Sequence, residues 1–170
     1  MATHANTAPP DTFDKIIPYV LAHEGGDKVT KDKDDPGGTT KYGISQKAYP
    51  KLDIESLDLN GAKYIYFNDY WNPSRVEHLP KFLRYVYFDM VVNMGKRRAV
   101  KILQRALNAV GSDLEVDGGI GDKTIAATKN TKLELARLRS YRVLYYADLV
   151  NRRPVLQKYW YGWYKRSLRV

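Results

Sequence analysis

The first quarter of the chain holds residue types and spacings that could do acid–base chemistry: one glutamate, Glu24, then the aspartates Asp27, Asp32, Asp34 and Asp35, then the pair Thr39–Thr40. Glu24 stands seven residues after Ile17, four after Val20 and three after Leu21. On a helix it therefore continues the apolar stripe rather than the wet face. Desolvation and the carbonyl end of a helix both favour an uncharged carboxylic acid over a carboxylate. The uncharged acid is the form that can donate a proton to a leaving group. The aspartates, in a polar and turn-rich stretch, offer ionised carboxylates, and the threonine hydroxyls can hold a water. An acid facing a carboxylate and a held water is the equipment that hydrolysis of a glycosidic bond requires. A solvated helix end followed by a polar surface loop accounts for the same residues without any chemistry. The same acids could equally form a weak calcium site, though their spacing does not match the helix–loop–helix calcium pattern, because no glutamate closes the loop at the needed place.

These groups need elements to position them. Phe13, Ile16, Ile17, Val20 and Leu21 recur at helical spacing, with Thr12 as N-cap and Gly25–Gly26 as the stop. The glycines also leave room beside the acid. Pro18 predicts a kink, or a helix that starts near it. Residues 27–44 read as a hairpin or ordered loop, with turn chemistry at Pro36-Gly37-Gly38. Ser45 is expected to cap a short helix through Ala48. Asp58 is expected to cap the next, with Ala62, Ile65, Tyr66 and Asp69 on one face ahead of Pro73. Helices follow over 81–94, closed by Gly95; through Val100, Leu103, Leu107 and Val110, closed by Gly111; over 122–129; and through Leu138, Tyr141, Tyr145 and Leu149, ended before Pro154. The tail "LQKYWYGWYKR" predicts a helix interrupted at Gly162. The expected fold is mainly α, with one small β excursion after the first helix.

Composition narrows the function classes. The chain has 170 residues, 44% hydrophobic and 28% charged, enough to build a core. It has no cysteine and only three scattered histidines, which argues against thiol chemistry and against a zinc site. No apolar run approaches the length a bilayer requires. The polar start, "MATHANTAPPDT", reads as a flexible lead-in over 1–11 and not as a secretory signal. Net charge is +9, and residues 132–170 hold ten Lys or Arg against two acids. Such a segment attracts polyanions: nucleic acid, anionic lipid or an anionic wall polymer. It carries no groove-reading motif, and many of its eight Tyr and Trp are expected in the core. "DGGIGDKT" lacks the Gly-Lys-Ser/Thr ending of a phosphate loop and reads as a structural turn before a helix.

Asp89 and Asn93 lie one helical turn apart, either as a buried pair locking helices or as groups in a sugar cleft, with Asn93 the better cleft candidate. Tyr42, Tyr66, Tyr70 and Trp71 could stack on sugar rings, but helical spacing favours core for Tyr66 and Trp71.

The motifs themselves are specific. "HEGG" followed by "DDPGGTTKYGIS" resembles the signature of glycoside hydrolase family 108, the phage-type N-acetylmuramidases, and "IYFNDYW" and "FDMVVNMG" resemble that family's later segments. From Ala99, "AVKILQRALN", "VDGGIGDKTIAA" and "YWYGWYKR" resemble the peptidoglycan-binding module often appended to it. One departure is Asp27, where the family usually has an aromatic residue. The resemblance implies a lysozyme-like catalytic lobe over 12–95 and a helical lobe over 96–170 packed on it. It implies Glu24 as the acid, and Asp35 (or its neighbour Asp34) and Thr40 as the groups that manage the water; Tyr42, Asn93 and Asp34 are the candidate substrate contacts. The implied reaction is cleavage of the β-1,4 bond between N-acetylmuramic acid and N-acetylglucosamine, without cofactor or metal. A lytic transglycosylase and a non-catalytic wall-binding protein are the alternatives. The expected partner is peptidoglycan, with an anionic outer-membrane or wall surface for the basic C-terminal segment, no nucleic acid, and a monomeric state. An endolysin made in a host cytoplasm without a signal peptide, reaching the wall through another protein's pore, completes the expectation.

Overall fold

The computed structural model describes residues 11–31 and 38–170. The predicted lead-in, apart from Asp11, and the residues Asp32, Asp34, Asp35 and Pro36-Gly37 lie outside them. The chain forms two compact units, Thr12–Pro73 and Ser74–Val170 with Asp11.

In the first unit, α1 (Phe13–His23) buries Ile16, Ile17, Val20 and Leu21, as its spacing predicts. Thr12 is the N-cap residue, though no side-chain cap bond forms. Pro18 sits inside this helix on the exposed face, where the carbonyl that loses its donor can turn to water. The helix ends in a Schellman-type turn: Glu24 is the C-cap, Gly25 has φ 93°, and Gly26 N–H donates to Leu21 O at 2.9 Å.

Three short antiparallel strands follow: β1 (Thr30–Lys31), β2 (Thr39–Lys41) and β3 (Ile44–Ser45), in the order β1-β2-β3. Lys41 pairs with Ile44, so the β2–β3 loop is two residues long. Those residues, Tyr42 and Gly43, both have positive φ (54° and 74°), the form whose twist suits a two-residue hairpin. The helix expected from Ser45 is instead a single turn. Ser45 belongs to β3, and the Ala48 and Tyr49 N–H groups both return to its carbonyl. Gln46 competes for the backbone there, donating to the carbonyls of Tyr49, Pro50 and Leu52 at 3.1, 3.2 and 2.9 Å.

Asp58 caps α2 (Leu59–Ile65) as predicted, accepting from Gly61 N–H at 2.7 Å. The helix then widens into a π-helical segment, Tyr66–Trp71, in which Asn72 N–H bonds Phe67 O at 2.9 Å. The wider turn lets Tyr66 and Trp71, five residues apart, both be buried, while Asp69 is exposed. Phe13 of α1 meets Phe67 and Trp71 edge-on at 5.1 and 5.4 Å, so α1 and this segment share one core.

The second unit is built on α3 (Lys81–Met94), buried on most of its circumference; α4 (Lys96–Asn108) and α6 (Leu135–Arg152) pack on it and on each other, α5 (Asp122–Asn130) packs on α4, and α7 (Trp160–Arg169) packs on α6. Gly95 separates α3 from α4 at φ 84°. Two polar residues of α4 organise the loop that follows. Gln104 donates to Asp117 Oδ1 at 2.7 Å and Gly119 O at 3.1 Å, and accepts from Gly118 N–H at 3.0 Å. Asn108 makes two bonds with the Leu114 backbone, at 2.8 and 2.9 Å. "DGGIGDKT" is thus the structural turn its composition predicts.

Asp89 and Arg142 are both fully buried and paired at 2.7 Å, and Arg166 adds a second contact to Asp89 at 2.8 Å. Asn93 Oδ1 accepts from the Tyr146 hydroxyl and from Arg142 Nη2. One carboxylate on α3 therefore ties α6 and α7 to it. The predicted break at Gly162 does not occur, and α7 runs through it. Gly162 lies in the first turn of α7, and a glycine inside a helix costs up to about 0.5–1 kcal/mol relative to alanine. The Arg166–Asp89 bonds and the stacking of Trp163 on Tyr146 at 4.7 Å offset it.

Candidate active site

Glu24 is placed by the end of α1. Its backbone N–H is shared between Val20 O and Leu21 O, both at 3.1 Å, and its side chain emerges half-buried where the apolar stripe meets the loop. The two glycines after it are needed for their positive φ. A Cβ on either would meet nothing within 4 Å, so the space beside them is open.

The β2–β3 turn closes on the acid from the other side. Tyr42 N–H donates to Gly26 O at 2.9 Å, and Tyr42 O accepts from the Tyr66 hydroxyl at 2.8 Å. Gly43 lies so close that a Cβ there would stand 2.7 Å from Glu24 Cβ, 3.2 Å from Glu24 Cγ and 2.8 Å from the Tyr66 hydroxyl. Loop, turn and π-helical segment thus meet around the stem of one carboxylate. Asp69, on the same segment, accepts from the Tyr49 hydroxyl at 2.7 Å and ties the residues after β3 to it. Burial, followed by that bond, pushes the Tyr49 phenol up from its ordinary value.

The other predicted residues are distributed as follows. Thr40 is the middle residue of β2, half-buried, in register with Thr30 on one side and Ser45 on the other. The half-buried Tyr42 forms the turn itself, with Lys41 Nζ 5.7 Å from its ring centre. Asp34 and Asp35 lie outside the described residues. Asn93 belongs to the second unit, where its carboxamide oxygen serves the Asp89–Arg142 network. Tyr66 and Trp71 are core residues, as their spacing predicts. Among the described residues no group of three or more His, Asp or Glu could hold a metal ion.

Residues 17–95 match the family model for glycosyl hydrolase 108, and residues 98–168 match the model described as "Predicted Peptidoglycan domain". The chain carries a glycosyl hydrolase 108 domain. It is a glycoside hydrolase that acts on peptidoglycan, and its fold is mainly α and lysozyme-like. The solved structure of SagA from Brucella abortus is similar over 92% of this chain and 90% of that one, at 29% identity and a TM-score of 0.73. No curated protein matches. The boundary between the two family models falls at Gly95, between α3 and α4, whereas the compact units divide at Pro73–Ser74.

Gly43 is the residue of this candidate site that sequence reasoning did not single out; Tyr66 was assigned to the core, and the bond from its hydroxyl to Tyr42 O was not foreseen. Both lie within quoted motifs, "TKYGIS" and "IYFNDYW". Glycine suits one of the two positive φ angles of such a turn, but tyrosine at the other is an outlier, so the pair is not the Asn-Gly signal a sequence search looks for. No spacing rule connects either residue to Glu24.

Proposed function

We propose that this enzyme hydrolyses the β-1,4 bond between N-acetylmuramic acid and N-acetylglucosamine, with Glu24 protonating the glycosidic oxygen as the bond breaks. Asp35, or Asp34 beside it, orients the attacking water and Thr40 holds it. Tyr42 lines the path of the glycan. The observation that carries this reading is the seat of Glu24. Its side chain stem is clamped between the α1 terminus and the Tyr42–Gly43 turn, next to open space, inside a glycosyl hydrolase 108 domain. A general acid must be fixed in direction and reachable by substrate, and this placement supports both. In the cell the reading corresponds to a phage endolysin. Its substrate places its work outside the cytoplasmic membrane.

The test is Glu24→Gln, which keeps the shape and removes the proton donor. Lysis of purified sacculi should fall about 10²–10⁴-fold, with thermal unfolding unchanged. Full activity in the variant refutes the assignment. Products of the wild type should carry reducing-end muramic acid. 1,6-Anhydro ends would instead identify a transglycosylase, which uses one acid and no water.

A further inference from the structure

The C-terminal segment presents a face that neither the catalytic reading nor the core uses. The 3-10 stretch Pro154–Tyr159 buries none of its residues, and α7 buries only Ser167. The expectation that the aromatics here are largely core is therefore corrected. Trp163, Arg166 and Ser167 take the inner positions of α7, Trp160 is half-buried, and Tyr159, Tyr161 and Tyr164 are exposed. Tyr161, Tyr164 and Leu168, at helical spacing on the outer side, are 68%, 39% and 52% exposed; Val155 and Tyr159 are 71% and 48% exposed. Six Lys or Arg and no acid occur from Arg152 to Val170. Lys158 Nζ lies 5.1 Å from the Tyr159 ring centre and Lys165 Nζ 5.0 Å from that of Tyr161.

We propose that this face, Val155 through Arg169, docks the protein on an anionic phospholipid bilayer. An exposed helix that carries tyrosines and a leucine along one line, with cations beside them, has the make-up of an interfacial helix. Tyrosine suits headgroup depth, with its ring in the apolar boundary and its hydroxyl in water. The lysine and arginine stems can lie along the rings while the charges meet lipid phosphates. A glycan strand fits less well. One face each of Tyr159 and Tyr161 is covered by a lysine, and Tyr164 stacks on Trp160 at 6.0 Å. Val155 and Leu168 offer no flat surface to a sugar ring.

The experiment is co-sedimentation of the full chain with vesicles of phosphatidylcholine containing phosphatidylglycerol, and with phosphatidylcholine vesicles alone. Two variants accompany it: Lys158→Gln with Arg169→Gln, and Tyr161→Ser with Leu168→Ser. The wild type should bind only the anionic vesicles, and salt should weaken binding. Each lost cation should weaken it roughly fivefold. The apolar variant should also lose binding, while both variants keep wild-type unfolding curves and wild-type hydrolysis of purified sacculi. Equal binding to both vesicle types, no binding, or unchanged binding in both variants overturns the proposal. Variants that lose binding to sacculi but keep vesicle binding overturn it too, and assign the face to the glycan.

Discussion

Alanine at Gly43 is the most direct probe of how Glu24 is held. Two costs arise there. The backbone stands at φ 74°, and a left-handed conformation costs an ordinary residue about 1–2 kcal/mol. The added Cβ would also lie 2.7 Å from Glu24 Cβ and 2.8 Å from the Tyr66 hydroxyl. Carbon atoms pack at about 3.5–4.0 Å, so the turn and the acid must part by roughly 1 Å. Overpacking of this kind costs about 1–3 kcal/mol. The sum, about 2–5 kcal/mol, leaves a folded population in a domain of ordinary stability, about 5–15 kcal/mol. Activity should suffer more, because a misplacement of about 1 Å costs on the order of 10²-fold. Gly25→Ala is the control. Its φ is 93°, but its Cβ would meet nothing within 4 Å, so it carries the backbone cost without the displacement. Rates on purified sacculi, measured where unfolding curves show both variants folded, should differ by about that 10²-fold. If Gly43→Ala is as active as Gly25→Ala at equal folded fraction, the turn does not set the position of the acid and the reasoning fails.

Tyr66→Phe keeps the buried ring and removes one bond to the Tyr42 carbonyl, so stability should fall by about 0.5–1.5 kcal/mol in denaturant titrations. Asp89→Ala leaves Arg142 and Arg166 without their shared carboxylate. Loss of one partner from a buried pair costs about 3–5 kcal/mol, read as a large drop in the unfolding midpoint. The Gln104 amide, and then the Gly119 N–H, hold the Asp117 carboxyl below the ordinary aspartate value of 3.8. A lowered folded value means that the contribution of this loop is complete above that value and drains as pH falls below it. An NMR titration should therefore place Asp117 below 3.8 in the wild type and move it back towards 3.8 in Gln104→Ala.

Much of the fold was legible from local patterns because the forces that set it are local. The stripe ending at Leu21, the Asp58 cap and the glycines at 25, 95 and 111 mark helices whose bounds follow from periodicity and from φ. Glu24 was legible for the same reason: its place on the wheel follows from counting residues. Local rules failed where a competing partner came from elsewhere. Ser45 has a helix-capping side chain, but pairing with β2 took its backbone. Gly162 has the propensity of a break, but Asp89, far away in sequence, holds the helix through Arg166. The segment after Ile65 follows a π-helical spacing that a 3.6-residue wheel does not contain, and burial of Tyr66 and Trp71 together selects it.

The sequence by itself determined that a carboxylic acid would stand at the end of an apolar helix stripe, followed by a glycine stop and a polar hairpin or ordered loop. Only the tertiary structure decided what holds that acid. Gly43 packs against Glu24 from nineteen positions along the chain, in a turn with two positive φ angles that Tyr66, on a widened helix, holds through the Tyr42 carbonyl. Tertiary structure likewise decided which aromatics of the basic tail face water. A helix pattern shows how residues divide between faces, and the neighbours that pack against one face determine which side is left outside.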